Sequence, residues 1–142
     1  MGTLTSWLDV PELTNASGVG HYTTTFTWPP ASGQADGAYL SLPPIDNALL
    51  LRINDKDVLL LDHARPIADM TQFLIEGENR VQIIVPTTMW NYIRTVASDI
   101  MSSAAPNVPY VMDKEMGIPM PGRVSNGLLG PVVVIPIISV VV

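Results

Sequence analysis

His21-Tyr22-Thr23-Thr24-Thr25-Phe26-Thr27-Trp28 alternates without a break. Tyr22, Thr24, Phe26 and Trp28 fall on one face of an extended chain, and His21, Thr23, Thr25 and Thr27 fall on the other. Four β-branched hydroxyl residues, three of them on one face, and three rings on the other that bury well on a pleated surface make this a strand with one wet face. Pro29-Pro30 stops it. The same grammar continues outward. Ala38 to Leu42 reads as a strand ended by Pro43-Pro44, and Ala48 to Ile53 as another. Asn54-Asp55-Lys56-Asp57 reads as the turn into a strand from Val58 to Leu61. Asp69 caps a short helix from Met70 to Leu74, because its carboxylate can accept first-turn amide hydrogens. Glu76-Gly77-Glu78-Asn79 then turns the chain into Arg80 to Val85, and the tail from Val132 to Val142 reads as a buried strand. Short strands between turns, with no βαβ rhythm, predict an all-β antiparallel sandwich with Tyr22, Phe26, Leu40, Leu49, Leu51, Val81, Ile83 and Val134 in its core.

The 142 residues, 47% of them hydrophobic, suffice for one domain with its own core, spanning 1–142 with no internal repeat. The absence of cysteine removes any disulfide framework and leaves the redox compartment open. A net charge of −6, with seven scattered Lys and Arg, argues against a phosphate-tracking surface, so nucleic acid is not an expected partner. No membrane span is expected, since the apolar tail is broken by Pro136 and Ser139. The N-terminus carries no basic and apolar leader pattern, which points to a cytoplasmic protein, the alternative being a secreted larger enzyme of which this is a part. Oligomeric state is open.

Four phrases carry a resemblance. They are Ser6-Trp7-Leu8-Asp9-Val10-Pro11-Glu12-Leu13, Gly18-Val19-Gly20-His21-Tyr22-Thr23-Thr24-Thr25-Phe26, Gly77-Glu78-Asn79-Arg80-Val81 and Asn126-Gly127-Leu128-Leu129-Gly130-Pro131-Val132. In this order the chain resembles the C-terminal β-sandwich of fungal secreted glycoside hydrolases of the α-L-rhamnosidase-like kind, from about Trp7 to Pro136. The resemblance implies a jelly-roll, galactose-binding-like fold and places sugar hydrolysis in a separate domain. Thr87-Thr88-Met89-Trp90-Asn91-Tyr92-Ile93-Arg94 resembles the segment that leaves the sheet toward the ligand end of such domains. Arg123-Val124-Ser125 departs from the aromatic and acidic approach expected before Asn126.

Residues 86–126 read as a helix and loop insertion forming that end. Met89, Ile93, Val96, Ala97, Ile100 and Met101 recur at helical spacing, allowing an amphipathic helix from Thr87 to Ser103 that packs its apolar stripe on the sandwich. The proline-rich stretch from Pro106 to Gly122 follows, and five of the seven methionines lie between Met89 and Met120. Methionine is flexible and polarisable, which suits an irregular apolar ligand better than a sugar, the alternative being that these methionines fill gaps under a long loop.

Neither histidine fits a metal spacing, so no metal and no cofactor is expected. His21 reads as solvent-facing and His63 as part of a surface turn. Two functions remain. The first is a cofactor-free cyclase of the Diels–Alder or pericyclic type that folds an apolar biosynthetic intermediate, with Arg94, Tyr92 and Lys114 as catalytic donors. Met89, Trp90, Tyr110, Met112, Met116 and Met120 would then shape its pocket. The alternative is a non-catalytic carbohydrate-binding or docking domain of a glycoside hydrolase.

Overall fold

The computed structural model describes residues 4–31, 33–45, 48–59, 62, 64–96 and 121–140. His63, Tyr110, Met112, Lys114, Met116 and Met120 lie outside them, as do the strand expected at Leu60-Leu61 and the helix expected beyond Val96. The strands are β1 (Val19–Trp28), β2 (Gly37–Ser41), β3 (Leu50–Ile53), β4 (Lys56–Val58), β5 (Ile67–Asp69), β6 (Gly77–Pro86) and β7 (Val133–Ile137). They form a four-stranded sheet in the order β1-β6-β3-β4 and a three-stranded sheet in the order β5-β2-β7. Every neighbouring pair is antiparallel. The inner faces of both sheets feed one apolar cluster: Ala38, Leu40 and Ala68 from one side, Leu51, Ile53, Val81, Ile83 and Val85 from the other. The protein is an antiparallel β-sandwich. Each fully buried Leu, Ile or Val side chain there contributes roughly 1.5–3 kcal/mol.

The alternation of β1 survives folding. Tyr22, Thr24, Phe26 and Trp28 point inward and are half-buried, while His21, Thr23, Thr25 and Thr27 are exposed. Of the expected core, Leu40, Leu49, Leu51, Val81 and Ile83 are buried, and Tyr22, Phe26 and Val134 pack against them partly buried.

Four expectations are corrected. The β3–β4 turn is Asn54-Asp55 alone, with φ of 51° and 64°, the left-handed pair of a two-residue hairpin, so Lys56 and Asp57 belong to β4. The next reversal ends earlier too, because Gly77 at φ 94° opens β6 and Asn79 is a buried strand residue. Asn79 accepts the Ile75 amide (2.9 Å) and the Asn54 side-chain amide (2.8 Å) and donates to the Ile75 carbonyl (2.7 Å), so its polarity is spent inside the fold. β5 was not anticipated; its three residues pair with β2 between polar turns, too short to show a period. The tail strand β7 is an edge strand with Val133 and Ile135 exposed, since no further layer among the described residues covers the outer face of the smaller sheet. The short helix after Asp69 is a 3-10 turn, Thr71–Phe73, and Asp69 accepts the Thr71 amide at 2.9 Å. No helix among the described residues is long and apolar enough to cross a membrane.

Candidate functional site

Three of the four phrases meet in space. Ser6 caps the 3-10 turn Trp7–Asp9 through its hydroxyl, which accepts the Leu8 amide at 3.2 Å. That turn presents the Trp7 indole to β1, where its Nε1 donates to the Tyr22 hydroxyl at 3.2 Å. The Leu128 amide donates to the same oxygen at 3.1 Å, and the Trp7 amide donates to the Asn126 carbonyl at 3.1 Å. Two glycines make the approach possible. A Cβ on Gly127, which sits at φ 99°, would stand 2.7 Å from the Tyr22 hydroxyl, and one on Gly20 would stand 2.8 Å from the Tyr22 ring. Asn126 beside this junction is buried, and neither polar atom of its side chain has a partner among the described residues.

Next to the junction is a hollow of about 730 Å³. Leu4, Ile83, Leu128, Pro131 and Val132 give it an apolar wall, and His21 to Thr24 of β1 form its rim. His21 and Thr23 belong to the outer face of β1, Tyr22 and Thr24 to the inner. Residues of both faces border one space only if that space lies beside the strand, along its main chain.

A second cluster holds the chain where it returns at 121–126. Residues 90–96 are helical. Asn91 is buried and makes a two-bond bridge to Val124, donating to its carbonyl (2.8 Å) and accepting its amide (2.9 Å). Trp90 Nε1 donates to the Gly122 carbonyl (2.9 Å), and the Arg94 guanidinium donates to the Pro121 carbonyl. Of the expected apolar stripe only Met89, Ile93 and Val96 fall among the described residues, and Val96 is partly buried. Met89 is 59% exposed, Tyr92 47% and Ile93 38%, while Asn91 on the side that meets 121–124 is buried. The helix meets three backbone carbonyls that no strand pairs with, and of these bonds the one from Asn91 to Val124 is part-buried. The Arg123-Val124-Ser125 departure lies in this clamp.

Trp90 thus gives its one N–H and Arg94 one of its five to backbone, while Met89 and Tyr92 face solvent. None of these four lines the hollow. Sequence reasoning missed the hollow's own residues, Leu4, Leu128, Pro131 and Val132; the Gly127 to Pro131 run was a visible signal of an irregular segment. Asp55 and Asp57 lie on the hairpin, where Arg52 Nε donates to Asp57 at 2.6 Å and Arg80 stands 3.9 Å from Asp55. Asp57, by its hydrogen bond and then its charge, raises the Arg52 pKa above its ordinary value.

The two sheets, the Tyr22 junction and the clamp at 121–124 together permit comparison with known structures. The chain is similar in fold to part of a rhamnosidase. The rhamnosidase from Novosphingobium sp. PP1Y superposes with a TM-score of 0.58 at 22% identity, over 89% of this chain and 12% of that one. The beta-D-mannosidase from Dictyoglomus thermophilum gives a TM-score of 0.42 at 18% identity, over 73% of this chain and 12% of that one. This chain therefore spans about an eighth of the length of either enzyme. No protein-family model matches the sequence, and no curated protein matches it.

Proposed function

We propose that the chain is a non-catalytic accessory β-sandwich of a glycoside-hydrolase-type protein, of the C-terminal rhamnosidase-like kind, acting as a docking or carbohydrate-binding module. The observation that carries this reading is where the shared phrases went. Trp7, Gly20, Tyr22, Asn79, Gly127 and Leu128 are engaged in holding the sandwich together, so what the chain shares with such enzymes is a scaffold, with the bond-breaking carboxylates belonging elsewhere. The test is direct. The purified chain should release no nitrophenol from nitrophenyl rhamnosides or galactosides, and turnover that survives repurification would overturn the proposal.

A second reading is favoured by the apolar wall of the hollow. A ligand-folding cyclase needs a shaped apolar space and one or two donors, and no nucleophile or metal. Arg94 and Trp90 do not line the hollow, and the donors at its rim are His21 and the hydroxyls of Thr23 and Thr24. Thermal-shift titration separates the readings. Rhamnose, galactose or their oligomers should raise the melting temperature if the module binds sugar, whereas polyene or polycyclic compounds should do so if the hollow takes apolar intermediates.

A further inference from the structure

Among the described residues β1 is an unpaired sheet edge beside an apolar hollow. The Thr87 amide donates to the Gly18 carbonyl at 2.8 Å, which fixes the phase of the β1–β6 ladder. Even-numbered β1 residues exchange bonds with β6. His21, Thr23, Thr25 and Thr27 therefore turn their main-chain N–H and C=O groups away from the sheet. Among the described residues none of these groups has a backbone partner.

The other three edges are blunted. β4 has three residues, two of them Lys56 and Asp57; β5 has three and ends on Asp69; β7 carries Pro136, which cannot donate. β1 has ten residues, with no Lys, Arg, Asp, Glu or Pro among them. A long uncharged edge is ordinarily a liability. It becomes a site when paired with the hollow, since the rim at His21 and Thr23 offers ladder groups and the wall at Leu4, Ile83, Leu128 and Val132 offers room for a side chain.

We propose that the β1 edge and its hollow form an acceptor site for an extended polypeptide segment of a partner, with apolar side chains at alternate positions. The segment adds as a strand to His21 and Thr23 and seats an apolar side chain against Leu4 and Leu128. Main-chain bonds supply the affinity and the hollow supplies the choice of side chain. This deepens the docking reading by naming the partner's chemistry. The two fail separately, because glycoside turnover bears on the first and peptide titration on the second.

The probe is a lysine-flanked peptide of alternating valine and threonine, titrated into the whole chain and followed by amide chemical shifts and hydrogen exchange. The His21 and Thr23 amides should shift and slow their exchange. The same peptide N-methylated at alternate residues should lose binding. Thr23→Pro removes an outward N–H that the sheet does not use, so the fold persists while affinity falls about tenfold. Leu4→Asp should weaken binding by placing a carboxylate in the hollow. The proposal is overturned if the N-methylated peptide binds equally well, or if Thr23→Pro binds like the parent. It is overturned equally if the peptide leaves both amides unmoved, or if those amides are already protected in a dimer of the chain.

Discussion

Tyr22 is the residue on which most depends. It lies on the inner face of β1, and its hydroxyl accepts from Trp7 near the N-terminus and from Leu128 near the C-terminus, so one oxygen ties segments near both ends of the chain to the β1–β6 ladder. Tyr22→Phe keeps the ring and orphans two donors. It should cost about 1–3 kcal/mol in urea denaturation, with the secondary structure retained. Gly127→Ala should cost at least as much, since it adds backbone strain of about 1–3 kcal/mol at φ 99° to a Cβ driven against Tyr22 and Trp7. Asp69 gives a pH dependence. Hydrogen bonds from the Thr71 hydroxyl and amide lower its pKa, so its contribution is complete above the ordinary carboxylate value and lost as pH falls through the lower folded value. The stability difference between the parent and Asp69→Asn should be constant at neutral pH and shrink only in acid, below about pH 3.9. A difference that instead grew as the pH fell would mean that the folded protein favours the protonated acid.

The helix at 90–96 and strand β1 show how differently elements reveal themselves. The threonine alternation of β1 is readable because the face a strand residue takes is fixed by parity. Phe26 on its inner face is only half-buried, so Phe26→Ala should cost less than the roughly 3–5 kcal/mol expected for full burial. At 90–96 the apolar period is visible, but the contacts of Trp90, Asn91 and Arg94 are with the chain at 121–124, more than two dozen positions away. Two substitutions check that orientation. Met89→Glu should change stability by no more than about 0.5 kcal/mol, as for an exposed site. Asn91→Ala should cost about 1–3 kcal/mol and speed amide exchange at Val124. The reverse ranking would mean that the apolar stripe packs inward.

At the scale of the whole molecule the sandwich is held at three places: the shared apolar cluster, the Tyr22 junction and the Asn54–Asn79 knot. Far-ultraviolet circular dichroism should be dominated by β-structure, and a helical spectrum would contradict the fold. Much of this was legible in one dimension. Parity along β1 and β6 assigned faces, and prolines and Asn-Asp pairs marked turns, because these effects act within a few residues of chain. The buried status of Leu40, Leu51 and Val81 followed from the same local rules. The candidate site was far less legible. Met89, Trp90, Tyr92 and Arg94 are singled out by their chemistry, yet Trp90 and Arg94 bond the backbone at 121–122, Met89 and Tyr92 face solvent, and none of the four lines the hollow. The hollow came instead from Leu4, Leu128 and Val132 meeting the edge of β1, residues that are unremarkable apolar chains by sequence. The sequence by itself determined that this protein folds as an antiparallel sandwich, since strand parity and turn chemistry are local. Only the tertiary structure decided that β1 is, among the described residues, an edge strand beside an apolar space. Strand order and the meeting of distant segments depend on contacts that no local pattern encodes.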